Sequence, residues 1–481
     1  MAAGNGAMGR RPATQRKPPP PSQQRRPAQR PPSGYSGQSR SGSQNRKPAG
    51  YSGPSRTGSQ QRKPRSSATT YPQRRRPQIS REEALRRQEM RRLKEEREAQ
   101  MRAESEALAK GPVDLPFCLL VMLLTAVGLV MLLSASFPSA YYESDGKNPT
   151  AYFNKQALFD LMGIAAMFFI SKFNYQRFRG AGKILMYVSV FLLVLVAIPH
   201  NPLAKTIKGA TRWLGVPGTP LQFQPSEIAK MAVIIYFSDT ISRKMDKMHS
   251  FRQGVAPYAA CLVLIAGLVA IEPHLSGAIL ILGAGAALML VGGINWGWVL
   301  GAGGLGALLM WFAVFVVGYN SSRIEYWLNP WADAQDKGYQ LSQSLITIGS
   351  GGLLGVGLGK SRQKFLYLPE EHNDFIFAII CEELGLIGAG LIMLLFAALI
   401  LRGYWISLHA KDRFGSLLVV GVITLVAVQT FLNIAVVTGF LPTTGISLPF
   451  FSYGGTALTI QLAEMGIVLS VSRQMRPVKS G

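Results

Sequence analysis

The first 81 residues contain no acidic side chain, and the whole 481-residue chain has only three cysteines. Cys118, Cys261 and Cys381 each lie in or beside an apolar run, so neither a disulfide framework nor zinc spacing can be read from them. The pattern of a secretory leader is not expected at the start of the chain either. No short apolar core with a small-residue cleavage site stands there, and hydrophobicity begins only near Phe117, where membrane insertion is expected to start.

What is present divides the chain in two. Lys and Arg number 51 against 26 Asp and Glu, and residues 1–110 hold 26 of the basic and 8 of the acidic ones, or +18 of the net +25. Residues 1–79 are rich in Pro, Gly, Ser and Gln, with an internal echo in SGYSGQSRSGSQNRKPAG and GYSGPSRTGSQQRKPRSS. Such composition cannot bury enough apolar area to offset the entropy of ordering, which predicts a disordered tail. Because a membrane-embedded body follows, anionic lipid rather than nucleic acid is the expected counter-charge. From Ser80 the character changes. Ser80 and Glu83 form a capping-box pattern, and Glu82/Arg86 and Glu83/Arg87 are i,i+4 pairs, predicting a polar juxtamembrane helix over 80–111.

Residues 112–473 read as an all-α, polytopic membrane domain, followed by a short tail over 474–481. About ten apolar runs are long enough for a hydrocarbon core of roughly 30 Å, centred near Met122, Ile164, Phe191, Ile234, Leu264, Gly283, Leu308, Leu391, Val422 and Ile467. Loops around Lys172–Lys183, Arg243–Arg252 and Arg402–Arg413, with the C-terminal tail, carry the basic residues. They are predicted to be cytoplasmic, as are both termini. Two large loops then face outward, Pro199–Pro225 and Tyr319–Asp374.

Ionisable groups at membrane depth need a partner or a role. Glu227 and Lys230, spaced i,i+3, form either a self-satisfied ion pair or the lining of a cavity for an anionic headgroup. Asp374 closes a stretch dense in functional types, from Lys360, Arg362 and Lys364 to Glu371 and His372. At the membrane boundary it could act as a general base or simply favour a helix N-terminus. A metal site from Glu371, His372 and Asp374 is a third option, unsupported by any second cluster. Gly439–Ala457 is too rich in Gly, Pro, Ser and Thr for continuous helix. It reads as a re-entrant turn, or as a set of donors facing a sugar or pyrophosphate.

Four blocks in order, RWLG (Arg212–Gly215), FQPSE..K (Phe223–Lys230), YLPEEHNDFIFAIICEELG (Tyr367–Gly385) and NIAVVTGFLPTTGISLPFFSYGG (Asn433–Gly455), resemble the signature blocks of the FtsW/RodA/SpoVE family. The resemblance, closest to the FtsW and SpoVE side, implies a ten-helix glycosyltransferase that polymerises lipid II in cell division. Its expected partners are a class B penicillin-binding transpeptidase and other division proteins. It places the essential outer-face aspartate at Asp374 and the polar helix pair at Glu227 and Lys230. His372 and Ser452 lie in the same blocks, as does Trp213 beside Arg212. Where many relatives have a Gln-Pro-Asp block this chain reads EPHLSG, so Glu272 and His274 become secondary candidates. Lys155, Arg212, Lys230, Arg362 and Lys364 are candidate pyrophosphate contacts, and a divalent cation such as Mg2+ or Mn2+ could share the phosphate charge without a dedicated motif. The rival functions are a lipid II flippase and a non-catalytic scaffold.

Overall fold

The computed structural model describes residues 81–108, 111–198, 201–207, 210–215, 222–315 and 321–475. The predicted disordered tail over 1–79, Ser80 of the capping box and the end of the C-terminal tail lie outside them. Helix α1 (Arg81–Leu108) occupies the predicted juxtamembrane segment, and its described side chains are exposed.

Every predicted apolar centre falls within a helix. In order these are α2 (Leu115–Glu143), α3 (Ala151–Ser171), α4 (Phe178–Ala197), α5 (Pro225–Ser242), α6 (Ala256–Ile271), α7 (Leu275–Val291), α8 (Trp296–Phe315), α11 (Ile376–Leu408), α12 (Arg413–Val437) and α13 (Gly455–Ser472). Among the described residues seven spans are long and apolar enough to cross a membrane. α7 is apolar but has only 17 residues, and α5 carries three charges, Glu227, Lys230 and Asp239.

α12 is the axis of the bundle, buried around nearly its whole circumference and packed on α5, α7 and α11. A helix apolar on all faces belongs at such a centre. α13 packs along α3, and α4 along α5. Asp114 caps α2 by accepting from the Phe117 N–H at 3.0 Å, and Asp412 caps α12 through the Gly415 N–H at 3.0 Å.

The two large loops are more structured than the all-α reading anticipates. The first forms a small antiparallel sheet of β1 (Ala204–Ile207), β2 (Ala210–Gly215) and β3 (Gln222–Phe223). The second contains α9 (Ser321–Leu328) and α10 (Tyr339–Gly351), the latter packed on α11.

Gly439–Gly454 is irregular, as expected, and runs into the bundle. A Cβ at Gly128, midway along α2, would collide with the Phe450 backbone, so only glycine permits this approach. Irregular backbone at such depth must be satisfied by protein. Side chains supply the bonds here: Gln429 donates to the Ser447 carbonyl at 3.0 Å, Asn433 to that of Ile446 at 2.7 Å, and Gln461 accepts from the Phe450 N–H at 3.3 Å.

Candidate active site

Asp374 lies two residues before α11, and the re-entrant segment fixes its backbone. Asn433 donates to the Asp374 carbonyl at 2.7 Å, and the Ser452 hydroxyl donates to that of Asn373 at 2.7 Å while accepting from the Leu448 N–H at 2.7 Å. Ser452, a candidate substrate contact by sequence, therefore has its hydroxyl committed to positioning this loop. Gln156 on α3 holds the other side, accepting from the Gly454 N–H at 3.3 Å and donating to the Ser452 carbonyl.

The half-buried Asp374 carboxylate opens on a cleft of about 360 Å³ lined by Arg323, Lys337, Gln340, Thr443 and Gly445. Gly445 lies so close that a Cβ there would sit 3.1 Å from Asp374 Oδ2. Arg323 is oriented by the Thr443 carbonyl at 3.2 Å. From β2, Arg212 donates to the carbonyls of Glu272 at 3.3 Å and Pro273. Burial lowers its pKa, and the charge of Asp374 opposes that shift; a guanidinium stays cationic under both. The arrangement is a carboxylate at the edge of a polar cleft with cations on several sides, suited to deprotonating a hydroxyl beside a departing phosphate.

Other predicted residues are placed differently. Lys364 is buried with its ammonium 2.8 Å from Glu383 and 3.0 Å from Ser134. That corrects its assignment as a pyrophosphate contact: the charge is already neutralised by an internal partner. Arg362 beside it and Lys155 on α3 are exposed, and Trp213 is half-buried, opposite Lys205 in the sheet. Glu227 and Lys230 form an ion pair at 2.7 Å and line, with Gln429, Gln461 and Glu464, an internal cavity of about 40 Å³. Both readings of the pair thus meet in one place, but the volume suits a few waters.

His372 Nδ1 lies 3.2 Å from Glu371, which also accepts from Ser139, and its ring packs 4.6 Å from that of Tyr152. Among the described residues no three His, Cys, Asp or Glu side chains converge on a metal position. His274 Nδ1 stands 3.0 Å from Gln224 and 3.3 Å from Ser226. Burial, Arg212 and Lys230 together push its pKa down, so it is neutral. The Glu272 carboxyl beside it is buried with neither oxygen hydrogen-bonded, and burial raises its pKa to about 8 against the lowering effect of Arg212.

Residues 115–477 match the FtsW/RodA/SpoVE family of cell cycle proteins. The chain belongs to this family. It is 41% identical over 367 residues to the stage V sporulation protein E of Bacillus subtilis, spanning 76% of this chain and 99% of that one. It is 39% identical over 365 residues to the probable peptidoglycan glycosyltransferase FtsW of Geobacter sulfurreducens, spanning 76% and 96%. A chain from a peptidoglycan synthase complex, described as coordinating polymerization and crosslinking, superposes with a TM-score of 0.63 at 27% identity, covering 75% of this chain and 98% of that one. Rod shape determining protein RodA of Thermus thermophilus superposes at 0.55 with 26% identity, covering 76% and 98%.

Two of the four blocks quoted from the sequence, Tyr367–Gly385 and Asn433–Gly455, supply Asp374, Phe375 and Thr443 to Gly445 to the cleft, and the rest of its lining comes from the stretch between Arg323 and Leu341. Sequence reasoning missed Arg323, Lys337 and Gln156. Gln156, a buried amide on an apolar helix, carried the same signal as the orphan carboxylates. The two cations followed no spacing rule and emerge only when α9 and the turn before α10 fold over Asp374.

Proposed function

We propose that this chain polymerises lipid II into glycan strands at the outer face of the cytoplasmic membrane during cell division. The observation that carries this reading is Asp374 at the rim of a cleft with Arg323 and Lys337, electrostatically coupled to Arg212. In the proposed step Asp374 takes the proton of the acceptor sugar's 4-hydroxyl as that oxygen attacks the donor's anomeric carbon. The bond from that carbon to the pyrophosphate oxygen breaks with inversion, and the lipid pyrophosphate leaves with the electron pair. Arg212, Arg323 and Lys337 supply positive charge to the leaving group, and a divalent cation carried by the pyrophosphate would add to it.

The relatives named as peptidoglycan glycosyltransferases support the chemistry, and the neighbour in a synthase complex supports a penicillin-binding transpeptidase as partner. Ten spans with both termini cytoplasmic would put Asp374 outside. Septal enrichment, and use of the basic tail on anionic lipid, belong to the same reading. The test is the purified full chain, alone and with its transpeptidase, given labelled lipid II in detergent, where nothing needs to cross a bilayer. Glycan polymer is the expected product. Absence of polymer, with lipid II translocation in vesicles, would establish the flippase instead.

A further inference from the structure

The segment between α10 and Asp374 carries an apolar surface that the proposed reaction does not use. Leu353, Leu354, Leu358, Phe365, Leu366 and Tyr367 are all exposed, Leu354 to 80%. Lys360 and Arg362 are exposed among them, and no acidic residue occurs from Gly351 to Pro369.

The backbone explains where this surface lies. α11 has 33 residues, or about 50 Å of helix, yet it spans the same interval as Arg413–Asn433 of α12, about 30 Å. The two intervals share their ends: a short turn joins Leu408 to Arg413, and Asn433 bonds the Asp374 carbonyl. The excess is absorbed at Gly385, where φ is 67° and the helix kinks. A kink orphans backbone groups, and segment 352–357 satisfies them. The Leu386 and Ile387 N–H groups donate to the carbonyls of Gly352 and Leu353 at 2.9 and 3.2 Å, while Val356 and Gly357 donate to those of Glu382 and Glu383 at 2.9 and 3.1 Å. The approach is so close that a Cβ at Gly385 would strike the backbone of Gly355 and Leu353.

This docking makes the patch continuous with the exposed face of α11 formed by Leu386, Ile387, Leu391 and Leu394, the face a spanning helix turns to lipid. Irregular backbone with exposed leucines cannot lie deep in hydrocarbon. It can lie at the interface, where aromatic and basic side chains are favoured. We infer that Leu353–Tyr367 is an interfacial anchor seated in the outer leaflet, with its leucines and Phe365 at the acyl boundary and Lys360 and Arg362 against anionic phospholipid headgroups. The anchor would hold the chain leading to Asp374 at a fixed depth. It rests on the proposed orientation with Asp374 outside but not on the reaction, and so stands or falls separately from polymerisation.

Nitroxide labels test it. The full chain with Cys261→Ser, in which Cys118 and Cys381 are buried, is given a single cysteine in turn at Leu354, Leu358, Phe365 and Lys360, with Leu391 as a lipid-facing reference. Each is reconstituted in nanodiscs of phosphatidylcholine, with or without phosphatidylglycerol. A preparation counts as folded when it elutes as a single species in size exclusion and the Leu391 label reads lipid. Labels at Leu354, Leu358 and Phe365 should collide severalfold more often with oxygen than with a water-soluble nickel chelate, at shallower depth than Leu391, and that at Lys360 should read the headgroup plane. Phosphatidylglycerol should draw the Leu358 label inward, and Lys360→Glu with Arg362→Glu should abolish that shift. Nickel-dominated collisions at the three apolar sites would overturn the inference by placing the patch in water. Suppression of both reagents would overturn it too, by showing that a protein surface covers the patch. An identical Leu358 depth in both lipids would overturn the anionic half.

Discussion

The two ends of the helix bundle are built on opposite principles. At the basic end Asp114, Asp239 and Asp412 each have a cation. Asp114 takes a two-point bond from Arg402 at 2.6 and 3.0 Å, and Asp412 accepts from Arg179 at 2.6 Å, Tyr175 at 2.7 Å and Gln176 at 2.9 Å. At the Asp374 end, Leu366 and Glu370 hold positive φ, and the Glu272 carboxyl is buried without a hydrogen bond. Such strain persists only where the surroundings over-determine it, and it gathers at working sites. One end therefore clamps helices together, and the other holds groups in place for chemistry.

The sharpest way to break that contrast is Asp374→Asn. The amide preserves shape and removes the base, so polymerisation of labelled lipid II should fall by about 10²–10⁴-fold while the thermal unfolding midpoint in detergent stays where it was. Near-normal product would remove Asp374 as the base.

The next effect concerns a cluster at the Asp374 end that resembles a clamp. Glu383 and Lys364 are almost wholly buried, and Glu382 accepts from the Ser361 hydroxyl and from the Arg362 N–H at 3.1 Å. Lys364→Met should destabilise by about 3–5 kcal/mol, because it strands a buried carboxylate. Adding Glu383→Gln should recover much of that loss in the same unfolding assay. A single-variant loss below about 1 kcal/mol, the range of exposed pairs, would show that the loop is held elsewhere.

A smaller, pH-dependent effect should have opposite sign at the two ends. Burial raises the pKa of Glu272 from 4.5 to about 8, so the folded state binds the extra proton and stability should fall as pH rises through that window. At Asp412 burial pushes upward, but the bonds from Gln176, Tyr175 and the Gly415 N–H, with Arg179, outweigh it and leave the pKa lowered. Its contribution is present above the ordinary carboxylate range and is lost on acidification. Unfolding midpoints across pH 3–9 should therefore lose part of their decline between pH 4.5 and 8 in Glu272→Gln and part of their acid decline in Asp412→Asn. An unchanged decline between pH 4.5 and 8 in Glu272→Gln would mean that the Glu272 carboxyl is ionised and partnered.

How much of this could be read from sequence differs by level. The spans were legible because long apolar runs have few alternatives, and Gly439–Ala457 was legible as non-helical because its glycines and prolines cannot sustain a helix. The role of Lys364 was not. Its partner lies 19 residues on, just before the kink at Gly385, and nothing local distinguishes a latch from a ligand contact. The sheet in the first large loop escaped because strands of two to six residues carry too little alternation to register. The cleft escaped in part because Arg323 and Lys337 reach Asp374 only through tertiary folding.

The smallest effect separates geometry from energy within the basic end itself. Arg243 bonds Asp239 at 2.8 Å, about as short as the contacts of Arg402 and Arg179, yet its side chain is 58% exposed and its partner lies one helical turn away on α5. The pair ties together nothing that the helix has not already joined, and water screens it. Arg243→Ala should therefore shift stability by no more than about 0.5 kcal/mol, and raised salt should erase even that. Arg402→Ala should cost more at the same nominal contact distance. It breaks a two-point bond between α11 and the cap of α2 and removes a guanidinium 3.9 Å over the ring of Trp405. Equal losses from the two variants would mean that the clamp at this end comes from the apolar packing of α12 and its neighbours, with the ion pairs as bystanders.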